Sequence, residues 1–149
     1  QVAQNLRVPV WSPQNPDLLA VVDGESSNNR LLLIDMAQND VRVLVENVRI
    51  NTQPIWSPKG DYIALTQTTR TGQSALILLD VADDTRTALH SVGQNVIDSP
   101  SWSSDGTWVL FRSNFAGGTG VYRIPRTGGD PQRLSPREMP LVFDPAWRP

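Results

Sequence analysis

Four tryptophans, Trp11, Trp56, Trp102 and Trp147, recur at intervals of 45, 46 and 45 residues. Each stands two places after a proline, in Pro9-Val-Trp11, Pro54-Ile-Trp56, Pro100-Ser-Trp102 and Pro145-Ala-Trp147. Four phased copies make this a repeat protein, and a repeat constrains the fold more than composition does, because each unit must bury its faces against its neighbours. A period in the forties with strand-like filling points to propeller blades or a related array. The expected units run over 9–53, 54–99 and 100–144, and residues 145–149 supply the first strand of a further one.

Inside the middle unit, Ile55-Trp56 leads into the turn Ser57-Pro58-Lys59-Gly60, followed by Tyr62 to Thr66, a polar stretch Gln67 to Ser74, Ala75 to Leu79, Asp80, and Thr85 to Leu89. That is four short strands separated by turn chemistry. The first unit repeats them at Leu18–Val22, Leu31–Ile34 and Val41–Val45, and the third at Trp108–Arg112, Val121–Ile124 and Gln132–Leu134. Continuous apolar runs such as Leu31 to Ile34 and Ala75 to Leu79 predict strands covered on both faces, as in stacked blades. Val41 to Ile50 is rich in Val, Ile and Asn and lacks a capping signal, so it is read as strand. The class is all-β: three blades of four short strands each, plus one extra strand.

Each recurrent residue has a physical reading. An indole on a short inner strand fills the wedge between adjacent blades, and its N–H needs a partner once buried. The proline of Trp-Ser-Pro stops ladder pairing and presets the turn, while Pro54 marks the repeat two places before Trp56. Gly60 and Gly106 supply positive φ where the chain reverses, whereas the first unit has Gln14-Asn15-Pro16-Asp17 there, one residue longer, and its turn should differ. Asp35 and Asp80, at matching positions, are read as turn anchors that accept backbone N–H bonds.

The formal charge is −2, from 13 basic and 15 acidic residues in 149, and the twelve arginines are scattered. Such a chain has no general attraction for phosphate backbones, so nucleic acid is not expected as a partner. No apolar run approaches the ~20 residues of a membrane span. The absence of cysteine excludes disulfides, thiolate metal sites and a cysteine nucleophile. The opening Gln1-Val-Ala-Gln lacks both an initiator Met and a signal-peptide core and reads as trimmed.

Candidate chemistry is sparse, and neither a catalytic site, a metal site nor a cofactor is expected. His90 is the one histidine; without a nucleophile-elbow sequence it reads as an exposed edge-strand residue. Asp83, Asp84, Asp98, Asp105 and Asp144 fit no EF-hand loop. Gly117-Gly118 and Gly128-Gly129 lack the following helix of a phosphate loop and read as turns. Trp108, opposite Tyr62 and Leu18 in the other units, reads as a larger packing residue. The segments before the Trp strands, Val48 to Asn51, Asn95 to Asp98 and Met139 to Phe143, are expected as loops at the channel mouth, where partners meet such platforms. Arg49, Asp98 and Phe143 are therefore the first candidate binding residues, with Arg70 and Phe115 in the other loops behind them.

The pattern Pro-x-Trp-Ser-Pro-x-Gly, an apolar strand, an Asp-terminated strand and a Leu at fixed offset resembles the TolB-type (WD-like) β-propeller repeat over nearly the whole chain. The match is strongest at Pro54 to Asp80, and the third unit departs from it with Pro125 in place of Asp. The resemblance implies an inner Trp strand beside a central channel, rings commonly of six blades, a periplasmic or secreted location, and a docking role. Relatives of that kind also cap peptidase domains of the prolyl oligopeptidase type. Three repeats and a strand fall short of the usual ~4 to 8 blades. The chain is then either a segment of a longer propeller or a half-ring that pairs with a second copy as a homodimer. The leading expectation is a non-enzymatic scaffold for protein or peptide docking; the alternatives are a propeller segment of a larger hydrolase and a small-ligand-binding propeller.

Overall fold

A computed structural model describes residues 5–25, 28–50, 53–69 and 71–137. They form twelve strands and no helix. Blade 1 comprises β1 (Leu6–Trp11), β2 (Leu18–Glu25), β3 (Asn28–Asp35) and β4 (Asp40–Ile50); blade 2 comprises β5 (Ile55–Trp56), β6 (Tyr62–Thr68), β7 (Ser74–Asp80) and β8 (Arg86–Val92). Blade 3 comprises β9 (Ile97–Trp102), β10 (Trp108–Ser113), β11 (Gly120–Pro125) and β12 (Gln132–Arg133). Within each blade every pairing is antiparallel between sequence neighbours, so each blade is a meander.

The blades stack face to face. Ala75, Ile77 and Leu79 of β7 lie in one buried cluster with Ala20, Val22, Leu31 and Leu33 of blade 1. Leu76 and Leu78, on its opposite face, lie in a second cluster with Trp102, Val109, Phe111, Tyr122 and Ile124 of blade 3. A strand between two neighbours has no face left for polar residues, and that produces the unbroken Ala75-Leu-Ile-Leu-Leu79 run.

The tryptophans bind blade to blade through the backbone. Trp56 Nε1 donates to the Val10 carbonyl at 2.9 Å, and Trp102 Nε1 donates to the Ile55 carbonyl at 3.1 Å. Each acceptor is the residue just before the preceding blade's own tryptophan. Trp56 and Trp102 are only 6% and 7% exposed, whereas Trp11, with no described blade before it, is 53% exposed. Trp147 lies outside the described residues.

At one end the turns stack on each other. Gln14 Nε2 donates to the Pro58 carbonyl at 2.9 Å. A Cβ on Gly60 (φ +70) would stand 3.1 Å from Ser12 Oγ, so the second turn needs glycine for both its conformation and its clearance. Gly106 has φ +71 at the same place in blade 3. Turns two and three close with Ser57 N to the Tyr62 carbonyl and Ser103 N to the Trp108 carbonyl, while the first closes one residue later, Ser12 N to the Leu18 carbonyl. Asp105 accepts the Ser103 hydroxyl and then the Thr107 amide and hydroxyl, which hold its carboxyl at about 2. Asp35 accepts the Gln38 amide and Asp80 the Ala82 amide in the hairpins between the third and fourth strands.

The inner strands depart from the sequence expectation. Val41 to Ile50 is strand to its end, as its composition indicates, and its last residues are not a mouth loop, nor are Ile97 to Asp98: Arg49 pairs with Thr68, Ile50 with Gln67, Ile97 with Ser113 and Asp98 with Arg112. Pro9 and Pro100 cannot donate to the ladder, so the register slips at a bulge beside them instead of the strand ending. Val8 and Ser99, the residues directly before these prolines, absorb the slip at φ 52 and 51. The upstream pairing then resumes. As a result β4 is the outer strand of blade 1 against β3 and, in its last residues, the start of the inner strand of blade 2 against β6.

Trp56→Ala is expected to cost about 3 to 5 kcal/mol, because it empties a wedge closed on both sides. Trp11→Ala should stay within roughly 1 kcal/mol, as for surface positions. Urea unfolding of the two variants checks this; equal costs would contradict the wedge assignment.

Candidate functional site

The end of the array opposite the stacked turns carries the starts of the inner strands, the ends of the second strands and the loops leading to the third. Buried polar side chains gather there in every blade: Asp23 and Asn29 in blade 1, Gln67 and Ser74 in blade 2, Ser113 in blade 3. Each position closes a strand next to a loop, where a polar side chain can take up backbone groups that the ladder no longer reaches.

In blade 1, Asp23 accepts the Asn5 amide and pairs with Arg30, and Arg7 bonds Asn29. In blade 2, Arg86 donates to the Gln67 side chain at 2.5 Å. In blade 3, Arg112 makes a two-pronged contact to Asp98, Nε to Oδ1 at 2.6 Å and Nη2 to Oδ2 at 2.5 Å. Planar guanidinium and carboxylate match in this geometry, which fixes both side chains. Ser113 Oγ donates to the Val96 carbonyl, and Asn114 Oδ1 accepts the Val96 amide at 2.8 Å. The loop entering β9 is therefore stitched to the loop leaving β10. Val96, Asp98, Arg112, Ser113, Asn114 and Thr119 line a pocket of about 150 Å³ that is open to solvent.

Of the sequence-derived candidates, Asp98 stands in this pocket and Phe115 in the loop that borders it. Arg49 lies at the end of β4, with its backbone alone described, and Arg70 and Phe143 lie outside the described residues. The Phe115 ring is turned inward, 4.8 Å from His90 and 4.8 Å from Tyr122.

His90 is a correction to the sequence reading. It is not an exposed edge residue: its ring packs between blades 2 and 3 against Phe115 and, at 6.0 Å, Phe111, with Nε2 buried and unpartnered. Burial lowers its pKa from 6.5, with the Asp130 charge acting in the opposite sense.

Sequence reasoning missed Arg133. Its guanidinium lies over the Tyr122 ring and donates to the Tyr122 hydroxyl at 2.8 Å, the Thr119 carbonyl at 3.1 Å and the Ser135 carbonyl at 3.0 Å. It occupies the space a side chain on Gly120 would take, since a Cβ there would stand 2.6 Å from Arg133 Cζ. An arginine at this position carries no signal of this role in the sequence; Gly120 at the start of a strand is the clue that could have been used. Among the described residues no three His, Asp or Glu side chains converge to hold a metal ion.

Four-stranded meanders stacked by inner-strand tryptophans, with loops gathered at one end, define a β-propeller segment. The TolB beta propeller domain family model matches residues 1–149, and the chain belongs to that family. Solved structures agree on the fold. The chain is 22% identical to a putative TolB from Agrobacterium tumefaciens, with a TM-score of 0.65 over 81% of this chain and 43% of that one. It is 21% identical to TolB from Acinetobacter baumannii, with a TM-score of 0.68 over 89% and 32% of the two chains. With the β-propeller domain of the Trilobed protease from Pyrococcus furiosus the identity is 19%, with a TM-score of 0.70 over 92% and 44%. The chain thus spans less than half the length of each of these proteins. No curated protein matches its sequence.

Two outcomes are expected. Gly120→Ala and Arg133→Ala should each cost about 1 to 3 kcal/mol, because either evicts the guanidinium from its bonds. The double variant should cost well under the sum, and additive costs in urea titrations would show the two positions to be uncoupled. The second concerns pH. A histidine whose folded-state pKa lies below its unfolded value contributes stability that is complete above about 6.5 and is lost as pH falls through the folded value. The melting temperature of the wild type should therefore drop more between pH 8 and 5 than that of His90→Phe; parallel curves would rule out the buried neutral imidazole.

Proposed function

We propose that the chain is a non-enzymatic propeller scaffold that docks protein: first a second copy of itself, closing a six-bladed ring, then a protein or peptide partner at the loop mouth. The carrying observation is the contrast between Trp11, 53% exposed, and its buried counterparts Trp56 and Trp102. On the corresponding face of blade 1, Leu6, Val8, Val41 and Val43 are exposed beside Trp11, while Val21 and Leu32 are buried. Apolar surface arranged this way favours association. At the mouth the rigid Asp98–Arg112 pair offers a fixed polar contact, with Phe115 bracing the loop; Arg49, Arg70 and Phe143 are further candidate contacts on their place in the sequence alone. A periplasmic or secreted setting follows from the family resemblance. Among the described residues no helix is long and apolar enough to cross a membrane.

A second reading, a propeller segment of a larger hydrolase, draws support from the likeness to the Trilobed protease domain. The two differ in whether the parent reading frame runs on into an α/β-hydrolase-like segment.

Light scattering on a size-exclusion column across a concentration range tests the scaffold reading. A species near twice the 16.5 kDa chain mass is expected. A strictly monomeric chain would count against self-assembly.

A further inference from the structure

His90 and the loop between β10 and β11 form one assembly at the junction of blades 2 and 3. The His90 ring stands 4.8 Å from Phe115, Phe115 stands 4.8 Å from Tyr122, and the Arg133 guanidinium lies 5.5 Å from the Tyr122 ring. A chain of side chains thus runs from β8 to β12. The loop itself, residues 114–119, is anchored at both ends and thin in the middle. At its start Asn114 Oδ1 accepts the Val96 amide at 2.8 Å, and at its end the Thr119 carbonyl accepts Arg133 at 3.1 Å. Ala116, Gly117 and Gly118 are exposed, and a Cβ built on either glycine would meet nothing within 4 Å. Phe115 is therefore the side chain that pins the middle of the loop, and His90 and Tyr122 are the rings that receive it.

The pinning suits a neutral imidazole and not a charged one. His90 Nε2 is buried without a hydrogen-bond partner. A neutral ring can leave that nitrogen as a bare lone pair, with its proton on Nδ1. An imidazolium carries an N–H on both nitrogens, and a buried charged donor without an acceptor is costly. The surroundings supply little relief. β7 places Leu76 opposite His90, and β10 contributes Phe111 at 6.0 Å. β11 contributes Tyr122, whose hydroxyl is already taken by Arg133 of β12, itself a cation. Asp130, from the segment between β11 and β12, acts on His90 through its charge but is itself exposed. Burial outweighs that attraction and sets the histidine pKa below 6.5.

We propose that His90 is an acid-released latch on the mouth loop: the neutral ring holds Phe115 down, and the protonated ring lets it go. Departure of Phe115 gives Nε2 access to water, so proton uptake and loop opening are linked. The closed loop is fully favoured above about 6.5 and loses that advantage as pH falls through the closed-state value. Asn114 and Thr119, at the two ends of the loop, also line the pocket beside Asp98 and Arg112, so the opening reaches the candidate docking site. The latch needs no partner and stands apart from the docking reading.

Fluorine NMR tests it. The chain has three phenylalanines. With para-fluorophenylalanine in their place, Phe115→Leu and Phe143→Leu assign two signals and leave Phe111 as the third. The difference in chemical shift between light and heavy water reports how far each ring meets solvent. For Phe115 that difference should grow between about pH 8 and about pH 5, with the same midpoint that the His90 ring protons show. In His90→Leu it should keep its high-pH value. Phe111, fully buried in the same junction, should change at neither pH. A Phe115 value that is the same at both pH values, or one whose midpoint differs from that of His90 in the wild type, overturns the latch. A change that survives in His90→Leu does so as well. A parallel rise at Phe111 would mean that acid loosens the whole junction, and the loop would then have no latch of its own.

Discussion

The indole-to-carbonyl bond between blades is the interaction on which the array depends. A tryptophan buried at a wedge fills the space that diverging sheets leave near the inner strands, and its one polar atom must find an acceptor there. Taking the carbonyl beside the preceding blade's own tryptophan solves this with a single geometry that can be repeated. Blade spacing, the pairing of small residues Ala20 and Ala64 with the incoming rings, and the stacking of the turns all follow from that fixed contact.

The two ends of the array are built differently. At the turn end, a serine follows each described repeat tryptophan, the second and third turns share a glycine at one place, and the turns touch one another, so little can vary. At the mouth end each blade meets its buried polar requirement in its own way: Asp23 with Arg30, Gln67 with Arg86, Asp98 with Arg112. Such partly buried pairs contribute less to net stability than to fixing one arrangement of the loops. A platform with a uniform base and an individual mouth can change partners without changing fold, which is why membership of the family leaves the partner open.

Much of this was legible in the sequence, unevenly. The period of the tryptophans and the unbroken apolar run of β7 were enough for the class, the strand order and the stacking, because both are direct consequences of burial on two faces. The extent of the inner strands was not, since proline reads as a terminator and only pairing shows that Val8 and Ser99 carry the chain past it. His90 was misread for a related reason: a histidine at the end of a strand looks exposed until the next blade covers it. Arg133 over Gly120 joins two strands through a side chain, and no spacing rule anticipates such a contact.

By itself the sequence determined what must be buried and how often: four tryptophans in phase, apolar strands of fixed spacing, glycines at two of the turns. These are local or periodic properties, and periodicity survives in one dimension. Only the tertiary structure decided which partners the buried polar groups take, where β4 passes from one blade to the next, and that Trp11 alone among the described repeat tryptophans stands open. Those outcomes depend on which surfaces meet, and surfaces meet only after the chain has stacked.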